Sequence, residues 1–157
     1  MNRIATLFLL TSVLVAGCLS SAPKSPKYWT INADSDLRVS EISVAAPYDG
    51  QRFVILRPDG SVAFDGFNVF SARPVQLIDA AVSIDYAEPT LFVRRLALDC
   101  TRKGERKAVV DLWLGEDPKT AVQGSGVSDT ADGNYTRAFS EAFEMAADQL
   151  VKIQNGK

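Results

Sequence analysis

Hydrophobic and polar positions divide the chain into one continuous apolar stretch at its start and a series of short periodic segments after it. Residues 4–16 are apolar except for Thr6, Thr11 and Ser12. Over residues 37–46, apolar Leu37 and Val39 are followed by Ile42 and Val44, and the phase changes at Ser40-Glu41 as it does at a bulge. Pro47-Tyr48-Asp49-Gly50 reads as a turn or a short helical start. Residues 53–57 predict a strand that Pro58-Asp59-Gly60 folds back into residues 61–64, with Gly60 at the left-handed position of the hairpin. Ser71 is the expected N-cap of a helix over 72–83, with Pro74 in its first turn and Val75, Ile78 and Val82 along one stripe.

Two longer runs, 91–101 and 108–115, are joined by a polar link and predict the central antiparallel hairpin. In the first, Leu96, Leu98 and Cys100 face one way while Arg95, Ala97, Asp99 and Thr101 face the other, so one side of that strand is partly exposed. Residues 120–128 form a further candidate strand, weakened by Gly124 and Gly126. Asp132-Gly133-Asn134 opens the strongest helix, 135–154. Its apolar stripe is Tyr135, Ala138, Phe139, Ala142, Phe143, Ala146, Leu150 and Ile153, and Asn155-Gly156 ends it.

Composition narrows the function classes. The 157 residues carry 17 Lys+Arg against 19 Asp+Glu, with 46% hydrophobic residues, which fits one globular domain. A pI near 5.1 is the wrong sign for a phosphate-backbone binder, and no Lys/Arg cluster stands out along the chain, so nucleic acid is not expected as a partner. There is no histidine. The commonest general base and the Ser-His and Cys-His nucleophile pairs are therefore missing.

The apolar stretch follows Met1-Asn2-Arg3 and ends at Val15-Ala16-Gly17-Cys18, the profile of a secretory leader that closes on a bacterial lipobox. Cys18 is the expected lipidation site, and residues 1–17 the leader. The serine, proline and lysine residues that follow make 18–27 the lipidated cysteine and its tether, so that the domain proper is 28–157. Two or three acyl chains hold a protein on a bilayer far more firmly than one. Leu19 after the lipidated position matches the sorting rule for the outer membrane. With Cys18 acylated, Cys100 has no partner within the chain and reads as a core residue.

No motif forms an active site. Gly124-Ser125-Gly126 lacks the spacing of a nucleophile elbow, and no phosphate-cradling glycine loop or zinc-ligand cluster occurs. Asp129 and Asp132 beside a helix start read as caps for orphan N–H groups. No enzyme activity is expected, and no cofactor or metal beyond covalent lipid on Cys18.

The order of features is informative. The lipobox is followed by Pro47-Tyr48-Asp49, the Phe53-Val54-Ile55-Leu56-Arg57 strand, a turn into Phe64-Asp65, Phe70 ahead of Ala72-Arg73-Pro74, and finally Asp132-Gly133-Asn134-Tyr135. In that order the chain resembles the ABC-type transport auxiliary lipoproteins, the PqiC-like family, over about residues 28–154. Phe70 stands where the family usually has Trp.

The resemblance implies an α/β fold of three layers, α/β/α, with a mixed sheet like that of anticodon-binding domains. It also implies a non-enzymatic lipoprotein on the periplasmic face of the outer membrane. Its partners would be a mammalian-cell-entry (MCE) domain protein and an ABC permease and ATPase that move phospholipid or other hydrophobic molecules and support envelope integrity. It leaves room for a homo-oligomer. The alternative is a lipid-binding periplasmic carrier or chaperone. Tyr48, Phe53 and Phe67 lie near turns and are the candidates for a partner-facing surface.

Overall fold

The computed structural model describes residues 25–156, so the leader, Cys18 and most of the tether lie outside the described residues. The elements in order are β1 (Lys27–Trp29), β2 (Arg38–Val39), β3 (Ile42–Val44), β4 (Arg52–Leu56), β5 (Val62–Phe70), α1 (Pro74–Asp79), β6 (Ser83–Ile84), β7 (Thr90–Asp99), β8 (Lys107–Gly115), β9 (Val122–Asp129) and α2 (Tyr135–Gln154). The described residues form a mixed α/β single domain with a mainly sheet core and two helices.

Seven strands make one sheet in the order β1-β5-β4-β7-β8-β9, with β3 also alongside β7. The expected central hairpin is present: β7 and β8 pair antiparallel from Thr90 opposite Gly115 to Asp99 opposite Lys107. On β7's other edge β3 and β4 lie end to end, both parallel to it, β3 beside Leu91–Val93 and β4 beside Ala97–Asp99. Residues 45–51 leave the sheet between them. The phase change at Ser40-Glu41 is therefore a break and not a bulge, because β2 belongs to a separate two-stranded sheet with β6.

A bulge does occur in β7, where the register shifts between Val93 and Arg95 and leaves Arg94 as the extra residue. The shift explains a pattern that strict alternation cannot. Leu91 and Val93, then Leu96 and Leu98, all enter one core cluster, although the two pairs have opposite parity. That cluster also takes the apolar side chains of α1, α2, β2 and β8. Val54, Ala97 and Val109 lie outside it and share the sheet's other face, as the cross-strand partnerships Val54–Ala97 and Ala97–Val109 require.

Strand β9 forms in spite of its glycines, and the glycines set its distance from the helix. A Cβ at Gly126 would stand 2.7 Å from the carbonyl carbon of Ala142, and one at Gly124 would stand 3.1 Å from that of Ala146. The backbone of α2 thus rests directly on the backbone of β9, with alanines on one side and glycines on the other. Gln149, on the same helix, seals the strand's outer edge: its amide accepts from Ser125 N–H at 3.2 Å and donates to Ser125 C=O at 2.7 Å. Gln154 does the same for β2, at 3.3 and 2.8 Å to the two backbone groups of Arg38.

Helix α1 is shorter than the 72–83 expected. It begins at Pro74, with Arg73 as N-cap and the Gln76 side chain accepting from Arg73 N–H at 3.2 Å, and Ser71 takes no part in capping it. It ends at Asp79 because Ser83 and Asp85 donate their N–H groups to Leu37 and Val39, which pulls the chain into β6. Helix α2 has the expected bounds, with the Asn134 side chain accepting from Arg137 N–H at 3.1 Å. Its predicted stripe is buried except for Ile153, which is half exposed in the last turn.

Candidate functional site

Cys18, the expected lipidation site, lies outside the described residues. Of the three candidates for a partner-facing surface, Phe53 is corrected: it is fully buried, because the Arg52/Val54 register shift turns it into the core. Its ring lies 4.5 Å from that of Phe70, 5.1 Å from that of Phe139 and 5.5 Å from that of Tyr135. Such edge-on and tilted geometries add about 0.5–1.5 kcal/mol per pair beyond area burial. Tyr48 is half-buried against the same cluster. Phe67 is exposed at 51%, on β5 next to the point where the chain enters the fold.

The residues around Phe67 explain the Phe64-Asp65 pair. Asp65 accepts the N–H groups of Phe67 and Asn68 at 2.8 and 2.9 Å, and the Asn68 amide donates to its second oxygen at 2.9 Å. Asn68 in turn accepts from the Trp29 indole at 2.9 Å. Partial burial pushes the Asp65 carboxyl up, but the Asn68 and Phe67 bonds outweigh it and leave it below its ordinary value. A carboxylate in β5 therefore holds the end of β1 in place.

A wide concavity lies elsewhere, between the β7–β8 turn and the loop that opens α2. It is a cleft of about 920 Å³ walled by Pro58, Cys100 and Tyr135 and rimmed by Arg102, Lys103, Arg106 and Lys107, with Glu105 and Asp129 among them. Gly104 makes the turn possible at φ +82°, a conformation that side chains disfavour. The two loops are tied together, since Thr130 donates both its hydroxyl, at 2.6 Å, and its N–H, at 3.2 Å, to the Arg106 carbonyl. The Arg106 guanidinium donates to the Tyr135 phenol at 2.7 Å, and that bond raises its pKa. Cys100, read as a core residue, packs against the core from a half-buried position and also faces this cleft.

The acidic residues beside the cleft are occupied by structure, but Asp129 and Asp132 hold loop N–H groups ahead of the helix, and the orphan N–H cap expected of them falls to Asn134. Asp129 accepts from Ala131 N–H at 2.7 Å and Asp132 from Asn134 N–H at 3.0 Å. Arg137 gathers the rest, donating to Asp132 at 3.0 Å, to Glu141 at 2.8 Å and to the Asp129 carbonyl at 3.0 Å. The Ser128 hydroxyl, then Arg137, hold the Glu141 carboxyl below its ordinary value. These groups lock the start of α2 to the end of β9.

The cationic rim escaped the sequence reading because Arg102, Lys103, Arg106 and Lys107 look like a solvated link. Only the fold sets them across from Thr130 and Tyr135. The one available signal was the crowding of six of the chain's 17 Lys and Arg into residues 94–107.

These features define a mixed α/β domain with one large sheet, and comparison with known proteins places it among structures of the same kind. No family model matches the chain, and no curated protein does. A crystal structure of a Xanthomonas campestris protein of the DUF330 family superposes with a TM-score of 0.56 at 14% identity, over 87% of this chain and 94% of that one. A second, of an uncharacterized protein, gives 0.55 at 11% identity, over 85% and 99%. At these identities the likeness is one of fold.

Proposed function

We propose that the chain is a non-enzymatic lipoprotein subunit of an MCE- and ABC-type intermembrane transport system. Acyl chains on Cys18 hold it on the periplasmic face of the outer membrane, where it docks an MCE-domain protein that serves phospholipid or other hydrophobic cargo. The lipobox and the order of the family-like motifs support this reading. The observation that carries it is the length of the tether. Strand β1 begins at Lys27, nine residues beyond Cys18, and nine extended residues span about 30 Å at most. The β1 edge, with exposed Tyr28 and Phe67, is thus kept close to the bilayer surface.

Affinity purification of the lipidated protein from its own crosslinked envelope should recover an MCE-domain protein. Repeated recovery of none would overturn the proposal. Cys18→Ala should move the protein to the soluble fraction and leave its unfolding midpoint unchanged.

The carrier alternative needs a gap between α2 and the sheet for an acyl chain, and the backbone contact of Gly124 and Gly126 with α2 weighs against one. The finer architecture that goes with the proposal is the three-layer α/β/α, anticodon-binding-like plan. Both helices of the described residues contribute to one core cluster, so this plan needs a further layer over the face of Val54, Ala97 and Val109, and a crystal structure of the mature chain with nothing packed on that face would overturn it.

A further inference from the structure

We propose that the cleft between the β7–β8 turn and the start of α2 binds a phosphate group, carried by a lipid headgroup or by a soluble phosphate ester. In a chain of net charge −2, this is a local reversal of sign. Lys107 is neutralised by Glu105 at 2.9 Å, but Arg102 and Lys103 form no ion pair among the described residues. Arg106 spends one N–H on the Tyr135 phenol, a neutral acceptor, and keeps its charge.

Of the carboxylates nearby only Glu105 is ion-paired, while Asp129 and Asp65 accept from neutral groups and keep their charge. Asp129 accepts from Ala131 N–H, Asp65 is held by Phe67 and Asn68, and Glu105 by Lys107. The lining therefore sets Arg102, Lys103, Arg106 and Lys107 against Glu105 and Asp129, an excess of two positive charges. The Tyr135 bond and the Thr130 tie fix the Arg106 fork and its loop before any ligand arrives, which lowers the ordering cost of binding. A guanidinium fork beside two further cations suits the several oxygens of a phosphate better than a single carboxylate. The volume, about 920 Å³, admits an organic group as well, against the wall made by Pro58, Cys100 and Tyr135.

The test titrates the full lipidated chain, in neutral detergent, with inorganic phosphate and separately with short-chain phosphatidylglycerol below its micelle concentration, by calorimetry. Saturable binding that weakens with added salt is expected. In Arg102→Gln/Lys103→Gln, both exposed turn positions, it should fall about tenfold or more, as loss of charge-assisted bonds implies. The variant's unfolding midpoint should not change. Tighter binding of the lipid assigns the site to a headgroup, and equal binding assigns it to a soluble phosphate ester. No saturable heat with either probe, or an affinity the double variant leaves unchanged, overturns the proposal. Either failure leaves the docking role standing, because that role rests on the anchor and not on this cleft.

Discussion

Gly126→Ala tests the contact between α2 and β9, and its sign is not the one that strand propensity gives. A glycine in an open strand costs roughly 0.5–1 kcal/mol relative to alanine, so the substitution should stabilise where there is room. At Gly126 there is none, since the new Cβ would fall 2.7 Å from the Ala142 carbonyl carbon and 3.1 Å from its Cα, and closer still to its oxygen. The obstacle is helix backbone, which cannot rotate away as a side chain can. Helix α2 must retreat, loosening Phe139 and Phe143 from the sheet. Overpacking of this kind costs about 1–3 kcal/mol, and a backbone obstacle puts it at the upper end. After the propensity gain is deducted, a net loss of about 2 kcal/mol is expected. With an m-value of about 2 kcal/mol/M, the urea midpoint should fall by about 1 M. Gly66→Ala in β5 is the control, because a Cβ there meets nothing within 4 Å and its φ is ordinary. It should leave the midpoint unchanged or raise it. If both variants behave alike, the close approach of helix and strand is refuted.

Three further outcomes are expected. Phe139→Ala removes the ring that touches Phe53 and Phe70, each at 5.1 Å, and should cost about 3–5 kcal/mol in urea unfolding, whereas a loss near zero would contradict its burial. The Glu141 carboxyl titrates below its ordinary 4.5 because of Ser128 and then Arg137. A folded value below the unfolded one adds stability that is complete above the unfolded pKa and drains as pH falls through the folded pKa. Glu141→Gln should therefore flatten the acid limb of the stability profile below about pH 4.5, and an unchanged limb would remove Glu141 from the account. Gln149→Ala uncovers both backbone groups of Ser125 on the outer edge of β9, so aggregation on storage should rise, as light scattering would register.

How much of the fold the sequence discloses depends on where each element finds its partners. Residues 90–99, 107–115 and 135–154 carry their own period over two or more turns or pleats, and they are legible. Elements of two or three residues are not. β1 exists because Asn68, Val69 and Phe70 lie opposite it, and β2 and β6 because each lies opposite the other, circumstances no local window contains. Glycines 124 and 126 look like damage to a strand when read alone, and become a requirement only when Ala142 and Ala146 are placed over them. Phe53 near a turn looks like a surface residue, and its burial follows from a register shift that the pattern does not mark. The cleft is the extreme case, because its rim is local in sequence while its wall at Tyr135 and its tie at Thr130 come from elements more than twenty residues away.

The parallel pairing of β1 with β5 also decides how the domain responds to a pull. Any load applied through the residues before Lys27 reaches the fold through β1, whose first two residues are exposed and whose third is Trp29. Lys27 and Tyr28 can peel from Asn68 and Val69 one at a time, paying out about 7 Å of chain. There the peeling meets the Trp29 indole, bonded to Asn68 and set edge-on against Tyr135 at 5.0 Å, with the Thr30 and Asn32 N–H groups fastened to α2 behind it. The domain thus carries a short stretch of slack followed by a stop, so that a pull through the residues before Lys27 lengthens the reach before it strains the core.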